Sequence, residues 1–220
     1  FIGRVNTKHI LITMGIAMIP LILLISIAVS TYDKETHETK KLPAFLASGR
    51  IPTWISRIQT FVYSSKNDET EKTYQINQAK IAIANGSWLG KGPGNSEARN
   101  FLPHSYSDFI YAIIVEEYGL VGGAFIVLLY LILFFRAIKI AQNSPRAFAT
   151  FLAIGCAFSL TFQAMINMAV TVNLFPVTGQ PLPMLSMGGT SIWFTSIAIG
   201  IILSVSRDLE KEGGVKPVEA

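Results

Sequence analysis

The chain has 220 residues, half of them hydrophobic and only 15% charged, with a formal net charge of +4. The charges are gathered between long apolar runs, which excludes a soluble domain, argues for no nucleic-acid partner, and marks a multispanning membrane protein. Its one cysteine, Cys156, lies inside an apolar run, so no intrachain disulfide is possible.

The first apolar run, Ile10 to Ser30, is uncharged and long enough at ~1.5 Å per residue to cross a ~30 Å hydrocarbon core. It is too long and too poorly flanked for a cleaved signal peptide, and the chain opens on Phe1 rather than Met. Earlier spans are therefore expected to precede it. Three further spans are expected at 109–135, 148–172 and 188–206, which gives an all-α, polytopic membrane helical bundle. Four spans place both ends of the chain on one side. Arg4, Lys8, Arg136, Lys139, Arg146, Arg207, Lys211 and Lys216 all flank spans on that side, and basic residues in short connections are retained in the cytoplasm. The tail 207–220 and the start of the chain are thus expected to be cytoplasmic, with 31–107 and 173–187 exported.

The 31–107 loop is far longer than an ordinary connection and should carry structure of its own. Trp54, Ile55, Ile58, Phe61 and Val62 recur at helical spacing, with Arg50 and Arg57 beside them. Such a helix either lies on the membrane surface or packs on neighbouring spans. Lys66 to Thr73 reads as a mobile turn, and Tyr74 to Ala84 as a second helix with Gln75, Gln78 and Lys80 available for hydrogen bonding.

The turn WLGKGPGNS follows. Lys91 between two glycines does not match P-loop spacing, and the expected location is outside the cell. Two readings stay open: a plain loop, or a nest of glycine amides for an anion. Asn85-Gly86-Ser87 is formally a glycosylation sequon and is read as a turn.

The stretch FLPHSYSDFIYAIIVEEYGLVGG concentrates the acids. Asp108 stands at the mouth of an apolar helix that also carries Glu116 and Glu117. A carboxylate at the centre of a span costs roughly 2.5–3.5 kcal/mol on insertion scales, so such residues face a polar cavity or a partner. Asp108 could equally cap the helix that follows it. Glu117 lies about half a helical circumference from Asp108 and Glu116 within about 80° of it, so the two acids cannot share a role. Glu117 is read as a contact in the bundle interior.

In the third span Gln163 and Asn167 share one helical face and read as glue between helices. FPVTGQPLPMLSMGGTS can form neither regular helix nor strand. At a membrane boundary such backbone is buried or lines a wet cavity, which makes Pro181, Pro183, Ser186, Gly188 and Gly189 candidate walls of a site.

Together the blocks YQINQAKIAIANGSWLGKGPGNS, FLPHSYSDFIYAIIVEEYGLVGG and FPVTGQPLPMLSMGGTS resemble the C-terminal part of the SEDS family, the shape, elongation, division and sporulation proteins typified by FtsW, RodA and SpoVE. The resemblance covers nearly the whole chain. It implies the last four of ten spans, in the bacterial inner membrane, and the compact GKGPGNS turn looks closer to the division and sporulation branch.

The resemblance also implies a peptidoglycan glycosyltransferase that polymerises lipid II into glycan strands on an undecaprenyl-linked chain. A class B penicillin-binding transpeptidase, other divisome proteins and membrane lipid would be its partners. The essential aspartate of the family's LP-x-x-H-[ST]-D-F-I motif falls on Asp108. Tyr106 and Ser107 depart from the usual histidine and threonine, and Met187 and Thr190 from the usual tyrosine and serine.

The implied reaction needs a base for a sugar hydroxyl and positive charge or amide dipoles for a departing pyrophosphate. Asp108 is the candidate base. Arg57 is the first candidate cation and Lys91 the second, with Lys80 and Arg99 near recognised motifs; Gln75, Gln78 and Glu117 complete the candidate substrate contacts. A divalent cation could bridge Asp108 and pyrophosphate, with His104 at ligand-like spacing. The competing readings are a transporter that flips lipid II and a non-catalytic division scaffold.

Overall fold

A computed structural model describes residues 6–31, 50–63, 71–101, 107–144 and 146–214. His104, the rest of 102–106 and most of the turn expected at Lys66 to Thr73 lie outside them. The described residues form seven helices: α1 (Thr7–Ser30), α2 (Ile51–Tyr63), α3 (Glu71–Gly86), α4 (Ala98–Phe101), α5 (Ile110–Asn143), α6 (Ala147–Thr171) and α7 (Gly189–Gly214). Four of them, α1, α5, α6 and α7, are long and apolar enough to cross a membrane, and the fold is an all-helical, multi-pass membrane protein.

The chain divides into two compact units, 1–73 and 74–220. In the first, Asn6 caps α1 by accepting from the Lys8 amide at 3.2 Å. Helix α2 packs on the far end of α1, where Gln59 donates to the Ala28 carbonyl at 2.9 Å and to Thr31 Oγ1 at 3.2 Å. Ile55 is buried on the same face as Gln59, while Trp54 and Val62 stay exposed. Helix α2 thus packs one face on α1 and leaves an apolar flank exposed.

In the second unit α5, α6 and α7 form the bundle. Ala137, Ala141, Ala153, Ala157 and Ala164 are buried along the facing sides. Small side chains let the backbones approach closely, which is how helices associate where lipid removes the hydrophobic drive. The helices outrun the expected spans. Arg136 and Lys139, expected in a hinge, continue α5 to Asn143, and α7 continues past Ser206. Arg and Lys are good helix formers, so the coil persists beyond the apolar stretch. The uncharged run of α5, 118–135, is about 27 Å long at ~1.5 Å per residue and matches the hydrocarbon core. Glu116 and Glu117 directly precede that run in the chain, and Asp108 lies further before it.

Helix α3 starts at Glu71, ahead of the expected Tyr74. Ile76, Ala79 and Ala82 recur every three residues as its buried stripe. Ala79 and Ala82 pack with Ala98, Phe109 and Ala112, so α3 seats the residue next to Asp108.

Candidate active site

Helix α5 is broken at Gly119, which has φ 73° and ψ −174°. In an unbroken helix the carbonyls of Glu116 and Glu117 would accept from the amides of Leu120 and Val121. The break frees all four groups, and the glycine-rich turn takes them up. The amides of Lys91 and Gly92 donate to Glu116 and Glu117 at 2.9 Å each, and the amides of Leu120 and Val121 donate to Ser87 and Trp88 at 3.0 and 3.4 Å. A Cβ on Gly90 would run into the Glu117 carbonyl, and one on Gly119 into the Trp88 carbonyl. Both glycines also have positive φ, so a side chain would be strained as well as crowded.

The amides of Gly90, Lys91 and Gly92 are occupied, the first by Gly86 at 2.8 Å, so they cannot cradle an anion.

Glu116 is 0% exposed. Its Oε2 accepts from Ser96 Oγ at 2.6 Å and from the Ala98 amide at 3.2 Å, and its Oε1 faces Lys91 Nζ at 3.5 Å. Glu117 is only half-buried. The interior contact expected of Glu117 thus belongs to Glu116, because the turn packs on that side of the broken helix. Lys91 also pairs with Glu97 at 3.1 Å and is 29% exposed. Hydrogen bonding to Glu97, with the charges of Glu97 and Glu116 behind it, raises its pKa above the ordinary lysine range against the cost of desolvation. Its charge is engaged by two carboxylates.

Asp108 lies before the first turn of α5, so helical-wheel angles from it to Glu116 and Glu117 do not apply. The N-cap is Phe109, without a side-chain cap bond, and Asp108 is not a capping residue. The residue is half-buried, and its carboxylate accepts from Ser107 Oγ at 2.9 Å. Its main chain is held from outside the helix. Asn167 Nδ2 donates to the Asp108 carbonyl at 3.0 Å, and Ser186 Oγ donates to the Ser107 carbonyl at 2.6 Å.

The proline- and glycine-rich loop between α6 and α7 is tied down by the same kind of bond. Asn167 Nδ2 also reaches the Gln180 carbonyl at 2.6 Å, Gln163 Nε2 reaches Pro181 at 3.1 Å, and the Tyr130 hydroxyl donates to Pro183. Ser186 Oγ accepts from the Leu182 amide at 2.7 Å. Gln163 and Asn167 therefore bind helix to loop rather than helix to helix. Each of these carbonyls lies outside regular structure and needs a donor.

Of the candidate wall residues, Pro183 and Ser186 are buried, Pro181 and Gly188 half-buried, and Gly189 exposed. Beside Pro181 a cavity of about 600 Å³ runs between α6 and α7, lined at its loop end by Gln163, Gln180 and Thr190. Gln78 lines a smaller cavity of about 190 Å³ with Asn85, Glu97 and Glu116. Gln75 is half-buried on α3, and Lys80 and Arg99 are exposed. Arg57 is half-buried on α2 in the first unit. Among the described residues no three His, Cys, Asp or Glu side chains converge, so the fit to a bridging cation rests on Asp108 alone and no step is routed through one.

A family model, FTSW_RODA_SPOVE, described as "Cell cycle protein", matches residues 1–211. Stage V sporulation protein E of Bacillus subtilis (strain 168) is 40% identical over 157 residues, covering 71% of this chain and 43% of that protein. A "Probable peptidoglycan glycosyltransferase FtsW" of Hydrogenovibrio crunogenus is 38% identical over 168 residues, covering 74% and 42%. The same name is carried by a Thioalkalivibrio sp. (strain K90mix) protein, 36% identical over 163 residues, covering 72% and 40%. A chain of the solved structure described as "Structural coordination of polymerization and crosslinking by a peptidoglycan synthase complex" superimposes with a TM-score of 0.56 at 27% identity. That alignment covers 72% of this chain and 43% of the other. The chain spans about two fifths of the length of these relatives.

Proposed function

The chain belongs to the FtsW, RodA and SpoVE family of cell cycle proteins, and on that premise we propose that it is part of a peptidoglycan glycosyltransferase acting in cell division. It polymerises lipid II at the outer face of the bacterial inner membrane, with its ends in the cytoplasm, and works beside a class B penicillin-binding transpeptidase and other divisome proteins. The names of its relatives and the synthase complex it superimposes on support this reading.

The observation that carries it is the setting of Asp108. Asp108 is half-buried, its main chain is held on both sides, and it precedes the apolar stretch of α5, which supports a place among lipid headgroups. A base there can accept the proton of an acceptor sugar hydroxyl as that oxygen bonds to the anomeric carbon and the lipid pyrophosphate leaves. Positioned bases contribute about 10² to 10⁴ in rate. Lys91 is committed to Glu116 and Glu97. Lys80 and Arg99 are the stronger candidates in the same unit for the leaving group, with Gln78 and the loop around Pro181 as candidate sugar contacts.

The test uses the natural full-length protein with its transpeptidase partner, fluorescent lipid II and a glycan-strand gel, comparing wild type with Asp108→Asn. Polymer from the wild type and none from a well-folded variant is expected. Equal polymer from both would make Asp108 structural. If neither makes polymer while liposomes show lipid II translocation, the transporter reading replaces this one.

A further inference from the structure

We infer that Asn167 and Ser186 are positioning residues for Asp108: together they lock the two peptide planes on either side of its Cα to α6 and to the loop 172–188. The inference rests on the reading of Asp108 as a base and deepens it.

The Ser107 carbonyl belongs to the peptide plane before the Asp108 Cα, and the Asp108 carbonyl to the plane after it. A residue whose two flanking planes are held has its φ and ψ held, and with them the direction of its Cα–Cβ bond. Each plane has one such tether, Ser186 Oγ at 2.6 Å on the first and Asn167 Nδ2 at 3.0 Å on the second. Helix α5 does not supply this restraint. Its first turn begins with the Ala112 amide donating to Phe109, one residue too late.

The tethers are themselves rigid. Asn167 is 2% exposed in the interior of α6 and spends both amide hydrogens, the second on Gln180 at 2.6 Å. The flipped amide would set Oδ1 against two carbonyl oxygens, so the two acceptors fix its orientation. Its Oδ1 is buried and has no hydrogen-bond partner among the described residues. A leucine would remove the unpaired Oδ1 but leave the Asp108 and Gln180 carbonyls without this donor, so the amide is explained by the bridge it makes rather than by packing.

Ser186 is buried at 3% exposure and is locked from its own side, accepting from the Leu182 amide at 2.7 Å and donating its amide to the Leu182 carbonyl at 2.9 Å. The loop thus holds the aim of the Asp108 side chain. The Ser107 hydroxyl then sets the carboxylate within that aim.

The experiment compares full-length wild type, Asn167→Leu, Ser186→Ala and Ser186→Thr, each with the transpeptidase partner. Initial polymerisation rates over lipid II concentration are paired with melting temperature and hydrogen exchange of the peptides covering 107–112 and 179–186. The expected result is a turnover lower by about 10- to 100-fold in Asn167→Leu and Ser186→Ala with KM unchanged, since misaiming a reacting group by about 1 Å costs that order. Both peptides exchange faster, and Ser186→Thr, which keeps the hydroxyl, recovers rate and protection.

Turnover unchanged in both variants overturns the inference. So does a fall matched by loss of folded protein that threonine does not restore. If the wild type makes no polymer, the glycosyltransferase reading fails and exchange alone decides. Faster exchange in both peptides then upholds the clamp, and unchanged exchange removes it.

Discussion

Asp108 and Glu116 lie on the same short stretch of chain and have opposite surroundings. Glu116 is sealed from solvent, takes two hydrogen bonds on one oxygen and a lysine on the other, and so joins the glycine-rich turn to the broken helix. Asp108 is half-buried, with Ser107 Oγ as the described partner of its carboxylate, while its main chain is clamped. The buried carboxylate ties a turn to a helix. The other belongs to a half-buried residue whose fixed part is its main chain.

The sharpest way to break this comparison is to remove each acid and ask what is lost. Asp108→Asn should lower polymer formation by about 10² to 10⁴ with the melting temperature unchanged, read by strand gel and calorimetry. A melting temperature that falls with activity would put Asp108 in the structural class.

Next in size is the helix break that gives Glu116 its place. Gly119→Ala and Gly90→Ala each push a Cβ into backbone at positive φ, and neither neighbour is a flexible side chain that can move aside. Both should yield little folded protein in detergent, measured by size-exclusion recovery. By contrast Gly94→Ala, at positive φ but with nothing within 4 Å, should cost only about 1 kcal/mol.

Glu116→Ala should destabilise by about 3 kcal/mol, because Ser96 and the Ala98 amide lose a charged acceptor in a buried site. Residual activity per folded molecule should stay near wild type. Normal stability with lost activity would move Glu116 into the chemistry.

The smallest effect concerns Lys91. Its pKa is raised in the folded state, first by the hydrogen bond to Glu97, so the protonated form is favoured by folding. This contribution is fully present below the unfolded lysine value near 10.4 and is lost as pH rises through the higher folded value. Melting should therefore not respond to Lys91 across neutral pH and should weaken only in strong alkali, a weakening that Lys91→Met abolishes.

Asp108 was legible from the chain because it interrupts a polar-to-apolar boundary within a recognisable block. Asn167 was legible only as a polar residue on an interior helical face. Its partners could not be read, since the acceptors are carbonyls that the loop happens to leave free. Glu117 was the expected interior acid and Glu116 proved to be it, because the turn settles on one side of a helix whose break at Gly119 leaves no mark in hydropathy.

Sequence alone determined that four helices are long and apolar enough to cross a membrane, the concentration of acids and the irregular loop between α6 and α7. Apolar length, charge and proline content are local properties, and a bilayer or a backbone responds to them segment by segment. Tertiary structure decided which acid is buried, whether the glycine amides are free and what aims Asp108. Those outcomes depend on hydrogen bonds between segments far apart in the chain, and each is formed only where packing has left a donor facing an unpaired carbonyl.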